Sequence, residues 1–400
     1  MYISHVSLTD FRSYAQADVE LGPGTNVLIG ANGVGKTNIV EAIGYLATLS
    51  SHRVTNDAPL LRFGTDRALV RARVQRARLV TTLEVEITAG KANRARINRA
   101  NPVRARDILG IVRTVLFAPE DLSLVKGDPS NRRRFLDELL VILRPGEAAT
   151  RGDYERVLKQ RNALLKSARA GSKLSTTREA TLDVWDTHLA RAGARVLRGR
   201  LEVLSLLSPY MGAAYASLAD ANKEARAYYQ STVVIDPEDE EPTNGFSTVQ
   251  DHPAQVAPAT LLDAGIRELE EMFLAALLKN RDKELERGIT LVGPHRDDVL
   301  LTLGNAPAKG YASHGETWSF ALALRLAAYK VLGEDDPRPG AGPILILDDV
   351  FAELDATRRT RLATIVAGAD QVIVTAAVAS DVPAELGGAF LKVSPGVVST

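Results

Sequence analysis

Four hundred residues exceed what one compact core usually holds, so two or three subdomains are expected. Hydrophobic residues at 45% and charged residues at 24% are those of an ordinary globular protein, and the lack of cysteine excludes a disulfide framework and any cysteine-ligated zinc or iron–sulfur site. Net charge is zero, the first residues lack a secretory pattern and no apolar run approaches the ~18 residues of a membrane span, so a cytoplasmic protein with no membrane partner is expected.

In chain order, the first informative element is the apolar strand pattern Asn26-Val27-Leu28-Ile29. It runs into Gly30-Ala31-Asn32-Gly33-Val34-Gly35-Lys36-Thr37, which fills every position of G-x-x-x-x-G-K-[ST], and then into the helical pattern Asn38 to Ile43. Strand before and helix after are the context in which that octapeptide binds phosphate. The glycines let successive backbone N–H groups turn toward an anion, and the helix behind them points its positive end at the same place. Lys36 is then expected on the β- and γ-phosphates of ATP, and the Thr37 hydroxyl on Mg²⁺.

Between positions 57 and 113 stand twelve arginines and one lysine against five acids. Arg71 with Arg73 and Arg94 with Arg96 have the i, i+2 spacing that puts two side chains on one face of a strand. Two readings stand: a basic sheet face that meets a DNA backbone, or arginine as the default solvent-facing residue of an Arg-rich chain. Arg132, Arg133 and Arg134 pose the same choice, DNA contact or solvated helix start, and Arg12 either touches the nucleotide or caps a strand.

From Asp153 to about Ser208 the pattern is helical, with one apolar stripe at Tyr154, Val157, Leu158, Leu164 and Leu165 and another at Leu182, Trp185, Leu189, Val196 and Leu201. Residues 176–208 contain no Pro and two Gly, which predicts a long helix that Pro209 ends or kinks. A short strand follows between Tyr228 and Ile235, then an acidic loop over 236–242, then a returning amphipathic helix over about 258–287 that packs on the outgoing one. An apolar strand at 289–292 leads to His295 and Arg296, which either orient neighbours or join the site.

Ser313 and Gly315 open a well-formed helix, a pattern that by itself is an N-cap. Next comes Pro343-Ile344-Leu345-Ile346-Leu347-Asp348-Asp349, a buried strand ending in two carboxylates in the form of a Walker B segment. Asp348 is expected to help hold Mg²⁺ and Asp349 to position the attacking water. Both motifs serve one metal ion, so the two chain ends must build one ATPase unit around the intervening arm.

The arrangement resembles the ABC-type ATPases, in which the element at Ser313 would be the signature motif that docks on a nucleotide held by a second subunit, and Ala352 to Asp355 the D-loop. In that class a switch histidine often stands where this chain has Thr375. More specifically, the whole chain is similar to the RecF family of bacterial DNA-repair proteins, relatives of the SMC heads. The resemblance is carried by Leu8 to Tyr14, by Asn38 with Glu41-Ala42, by Pro119 to Asp137, and by Gly293 to Asp298. It implies an α/β ABC/SMC-head-like P-loop fold, with head segments at 1–118 and 288–400 and a mainly helical arm at 119–287. It also implies a slow, DNA-stimulated ATPase that forms an ATP-dependent homodimer on single-stranded and gapped DNA, works with RecO and RecR to load RecA, and associates with the nucleoid. Departures from the pattern are Glu316 where Gln is expected, His314 where a basic or small residue is, and Asp349 where the wider class has Glu. Two alternatives are weighed: a transporter energy subunit, against which the long arm speaks, and an SMC-type structural head, which would carry a far longer coiled coil.

Overall fold

Alternation of buried and more exposed residues, broken in β1 by a bulge between Ile3 and His5, marks the amino-terminal strands as one sheet with a single wet face. The computed structural model describes residues 1–169, 176–219, 223–234 and 258–399. Strands β1 (Tyr2–Phe11), β2 (Tyr14–Glu20), β4 (Arg67–Arg76), β5 (Leu79–Thr88), β6 (Arg94–Ile97) and β7 (Val103–Arg104) form an antiparallel sheet in the order β2-β1-β4-β5-β6-β7. Its inner residues, among them Val6, Leu8, Val70, Ala72, Leu83 and Val85, pack with helix α1 (Lys36–Thr48) in one core.

The second sheet reads as continuous apolar runs because both of its faces are covered. Its order is β15-β14-β3-β13-β12-β8, with β3 at Gly24–Ile29, β8 at Thr114–Phe117, β12 at Ile344–Asp348, β13 at Gln371–Ala376, β14 at Ala389–Ser394 and β15 at Val397–Ser399. Strands β3, β8, β12, β13 and β14 run parallel, drawing segments from both halves of the chain into one layer. Alternate residues serve different cores: Ile344, Ile346 and Ile373 face α1, while Leu345, Leu347, Val372 and Val374 face helix α10 (His314–Asp335), helix α11 (Ala356–Val366) and the arm.

Between β8 and α10 lie helices α2 (Leu122–Lys126), α3 (Pro129–Leu143), α4 (Glu147–Arg169) and α5 (Thr176–Leu218), strand β9 (Ala225–Gln230), helices α6 (Ala259–Asp263), α7 (Ile266–Lys279) and α8 (Arg281–Arg287), strands β10 (Asp298–Leu303) and β11 (Ala306–Pro307), and the turn α9 (Ala308–Tyr311). Helix α5 packs against α4, α7 and α10, so it joins the arm to the head.

Several expectations are corrected. Pro209 does not end the outgoing helix, which continues to Leu218. The carbonyl that Pro209 leaves without an N–H partner belongs to Ser205, which is exposed and reachable by water. The returning helix is broken twice. Ala264 is extended, and Gly265 starts α7 afresh with its N–H bonded to the Glu268 carboxylate at 2.7 Å. Asn280 separates α7 from α8, its side-chain amide donating to the Ala276 carbonyl at 2.9 Å. The run at 289–292 is irregular rather than a strand, because side chains take its N–H groups: Asn162 accepts from Thr290 and Glu284 from Leu291, each at 2.7 Å. Strand β9 stops at Gln230, and Ile235 and the acidic loop 236–242 lie outside the described residues. Finally, β10 pairs with β9, which associates residues 298–307 with the arm. We therefore propose that the chain re-enters the head at α10 rather than at residue 288.

Candidate nucleotide-binding site

Parallel strands deliver their carboxyl ends to the same sheet edge, and there β3, β13, β12 and β8 bring four loops together. The loop after β3 is the Gly30–Thr37 segment. Gly35 adopts φ +112, and a Cβ there would lie 2.6 Å from the Tyr14 hydroxyl, so no other residue fits the turn. Lys36 opens α1, is 4% exposed, and donates to the carbonyls of Gly30 and Ala31 at 2.8 and 3.2 Å. Asn38, two positions on, is held by Ser13 at 2.8 Å and by Arg53 at 3.1 Å.

Across the edge, Thr37 Oγ1 donates to Asp348 Oδ1 at 3.1 Å, so residues 311 positions apart share one hydrogen bond. Thr375 lies between them on β13. Its hydroxyl donates to Asp348 Oδ1 at 2.6 Å and accepts from the Asp349 N–H at 2.9 Å. Asp349 itself adopts φ +52, a left-handed conformation costly for a residue with a Cβ, which turns the second carboxylate away from the strand direction. Burial, then the charge of Asp349 and that of Glu120, push the Asp348 carboxyl up to about 6. Glu120 belongs to the Pro119–Asp121 turn after β8, which brings that segment to the same edge.

The residues fit a nucleotide and its cation. Thr37 Oγ1 and Asp348 are hard oxygen donors of the kind Mg²⁺ takes, and a cation would offset the desolvation that raises the Asp348 carboxyl. Lys36 rests on loop carbonyls from which a phosphate can draw it.

One contributor was legible in the sequence only as a position, and another not at all. Thr375 appeared there as a substitute for a histidine, and only the β3-β13-β12 order shows it bonded to both carboxylates. His52 follows α1, with Nε2 buried 3.9 Å from Asp348 Oδ2 and without a hydrogen-bond partner among the described residues. Burial lowers its pKa to about 4, so the ring is neutral. No local pattern marks such a histidine. Arg12 turns out to serve Glu41: the fully buried carboxylate on α1 receives its Nε at 2.8 Å and Nη2 at 2.5 Å.

Ser313 and Gly315 stand apart from this cluster; among the described residues, no hydrogen bond or ion pair joins them to the P-loop. Ser313 caps α10, its Oγ accepting from the Glu316 N–H at 3.3 Å while Glu316 accepts from the Ser313 N–H at 2.9 Å. Arg358 of α11 packs on Gly315 so closely that a Cβ there would sit 2.9 Å from Nη2. The same guanidinium binds Asp355, which ties α10 to the turn before α11.

The arginines divide. Arg71 and Arg73 on β4 and Arg94 and Arg96 on β6 share the wet face of the first sheet, flanking Glu84 and Glu86 of β5. Arg71 bonds Glu84 at 2.5 Å and Arg96 lies 3.7 Å from it, whereas Arg73 and Arg94 form no ion pair with a described residue. Arg132 turns inward: it grips Asp298 with two bonds at 2.7 and 2.8 Å and donates to the carbonyls of Leu124 and Gly127. A guanidinium so saturated has little left for DNA, and Arg132 is withdrawn from that role. Arg133 is half-buried, donating to the Asp297 carbonyl at 2.7 Å. His295 lies inside the arm, where it accepts from Tyr154 at 2.7 Å and donates to the Thr290 carbonyl at 3.2 Å, whereas Arg296 is exposed and its Nε reaches the same carbonyl at 3.3 Å.

Residues 2–385 match the RecF/RecN/SMC N-terminal domain family. The DNA replication and repair protein RecF of Pseudarthrobacter chlorophenolicus is 64% identical over 397 residues, covering 99% of this chain and 98% of that protein. The chain belongs to the RecF family. Among solved structures, that of the recombination mediator protein RecF-ATP in the RecFOR pathway superposes with a TM-score of 0.83 at 26% identity, covering 100% of this chain and 97% of the other. An Smc head domain with an extended coiled coil from Pyrococcus furiosus gives a TM-score of 0.50 at 15% identity over 100% of this chain and 95% of the other, which shows the shared fold. No described helix is long and apolar enough to cross a membrane.

Proposed function

We propose that this RecF-family member is an ATP-dependent DNA-binding protein of recombinational repair, using slow ATP hydrolysis as a conformational switch. Lys36 holds the β- and γ-phosphates, and the N–H groups of residues 30–38 line the rest of the triphosphate. Thr37 and Asp348 hold Mg²⁺, which supplies charge neutralisation at the phosphates. Asp349 orients the attacking water through its displaced carboxylate. The Ser313–Gly315 turn, which among the described residues makes no hydrogen bond or ion pair to its own P-loop, meets the nucleotide of a second copy and closes an ATP-dependent homodimer over DNA. The RecFOR pathway named for its structural relative supports RecO and RecR as partners, with RecA loading on gapped or single-stranded DNA downstream. An SMC-type structural head is disfavoured because α5, the longest helix among the described residues, has 43 residues and spans only about 65 Å.

The observation that carries the reading is the Thr37–Asp348 hydrogen bond, which unites a P-loop and a Walker B strand in one site. Sedimentation of the protein with and without ATP tests it, read together with Lys36→Ala and Asp349→Asn. The wild type should dimerise with ATP only, Lys36→Ala should lose nucleotide binding and dimerisation together, and Asp349→Asn should dimerise without turnover. Dimers that form equally well without ATP, or undiminished turnover in Asp349→Asn, would refute it.

A further inference from the structure

Glu316 puts a negative charge in the first turn of the helix whose amino end is to receive a phosphate. It is ionised at any physiological pH: the Lys223 ammonium first, then the Ser313 N–H, hold its carboxyl down to about 2. A helix amino end attracts anions through its free N–H groups and partial positive charge. Here that attraction is partly consumed, because Glu316 Oε2 already accepts from the Ser313 N–H at 2.9 Å. An incoming phosphate would meet a like charge beside it.

The other carboxylate oxygen accepts from Lys223 Nζ at 2.6 Å. Among the described residues, Lys223 is the only cation within ion-pair distance of Glu316. Arg358, the other nearby cation, is committed to Asp355 and to Ser319 Oγ. Lys223 comes from the connection between α5 and β9, so the arm delivers it to the head's signature helix. With side-chain exposures of 51% and 16%, the pair is of the surface kind that adds little to stability. Fold maintenance therefore gives it no explanation, whereas charge compensation does.

We propose that Lys223 is a positioning residue for dimer closure: its ammonium neutralises Glu316, so that the Ser313–Gly315 turn accepts the phosphate of a nucleotide bound by a second copy. The inference rests on the sandwich reading above. It makes the arm a participant in closure, since any arm movement that withdraws Lys223 bares Glu316 to the phosphate.

Sedimentation velocity with ATP and Mg²⁺ on wild type, Lys223→Ala, Glu316→Gln and the double variant tests it, with ATP affinity and melting midpoint measured alongside. Lys223→Ala should raise the dimer dissociation constant about tenfold or more, the order expected for one unscreened charge, with the melting midpoint unchanged. Glu316→Gln removes the charge while keeping an oxygen for the Ser313 N–H. It should dimerise at least as tightly as wild type, and the double variant should recover to within about threefold of wild type. A purely structural salt bridge predicts instead a double variant as impaired as Lys223→Ala, and that result overturns the proposal. So does normal dimerisation of Lys223→Ala. A wild type that fails to dimerise with ATP overturns the sandwich reading itself, and this inference with it, a failure visible before any variant is compared.

Discussion

Buried charge is treated in opposite ways in the arm and at the nucleotide edge. In the arm, Arg161, Asp186 and Glu284 are all fully enclosed and in direct ion contact with one another. Arg161 Nε donates to Asp186 at 2.6 Å, its Nη1 to Thr290 at 2.8 Å, and its Nη2 lies 2.6 Å from Glu284, poorly aligned for a hydrogen bond but close as an ion contact. Arg281 closes the cluster on the second oxygen of Asp186 at 2.5 Å. At the sheet edge, two adjacent carboxylates share one threonine hydroxyl, a histidine nitrogen has no partner, and the lysine rests on carbonyls. The arm's charges offset one another within the cluster and hold α4, α5 and α8 in register. Those at the edge are complete only when something anionic and something cationic join them.

The largest effect should come from breaking the arm cluster. Arg161→Ala leaves two buried carboxylates short of their shared cation, which should cost about 3–5 kcal/mol of stability in a denaturant titration. ATP affinity of the folded fraction should be unchanged, because the cluster touches nothing at the sheet edge. A variant as stable as wild type would show that water reaches those carboxylates.

The same manoeuvre at the edge should have the opposite sign. Asp348→Asn removes a desolvated charge set against Asp349 and Glu120 while keeping an oxygen for the hydroxyls of Thr37 and Thr375. The nucleotide-free protein should gain roughly 1–2 kcal/mol of stability at pH 7.5 while turnover is lost. A loss of stability would mean that Asp348 is as structural as Asp186, and the contrast would fail.

These two variants also show what was legible in the chain and what was not. The P-loop and the Asp348 strand could be read because each is a local pattern, an octapeptide between strand and helix and an apolar run ending in acids. The alternating arginines of β4 and β6 were legible for the same reason. Thr375 and His52 were not, since their roles arise only when β13 settles between β3 and β12 and the segment after α1 folds back on the edge. Nor was the arm cluster. Asp186 sits one residue after Trp185 on an apolar stripe, where a sequence reading sees an interruption rather than half of an ion pair. Pro209 and Asn280 mislead in opposite directions: an exposed carbonyl lets α5 pass through the first, while the side-chain amide of the second breaks the returning helix.

A smaller effect sharpens the comparison through pH. His295 is held neutral in the arm between Tyr154 and the Thr290 carbonyl, with burial lowering its pKa to about 4 from 6.5. A group whose folded pKa is depressed stabilises fully above its unfolded pKa, and that stability is lost as pH falls from 6.5 through about 4. Between pH 6.5 and 5, where the Asp348 carboxyl near 6 titrates with the opposite sign, His295 itself should account for at most about 2 kcal/mol of lost stability. His52 carries a shift of the same direction at the nucleotide edge, so wild type loses stability from both. His295→Gln should remove the arm's share of that slope and leave the rest. An unchanged slope would place the acid sensitivity elsewhere.

The smallest effects are expected on the wet face of the first sheet, where paired and unpaired arginines stand side by side. Arg73 and Arg94 have no carboxylate partner among the described residues, whereas Arg71 is already neutralised by Glu84. If this face meets a DNA backbone, Arg73→Ala and Arg94→Ala should each weaken binding to gapped duplex by a few-fold and lower the salt slope of log K by about one. Arg71→Ala should do less, since a phosphate would first have to take the guanidinium from Glu84. Arg132→Ala is the control from the interior: it strips Asp298 of its partner, so it should lower the melting midpoint and leave the slope of the folded protein alone. A face in which Arg71 and Arg73 count equally would mean that the Glu84 pair opens on DNA. A face in which neither counts would return these arginines to solvent, and the DNA contact would have to be sought around half-buried Arg133.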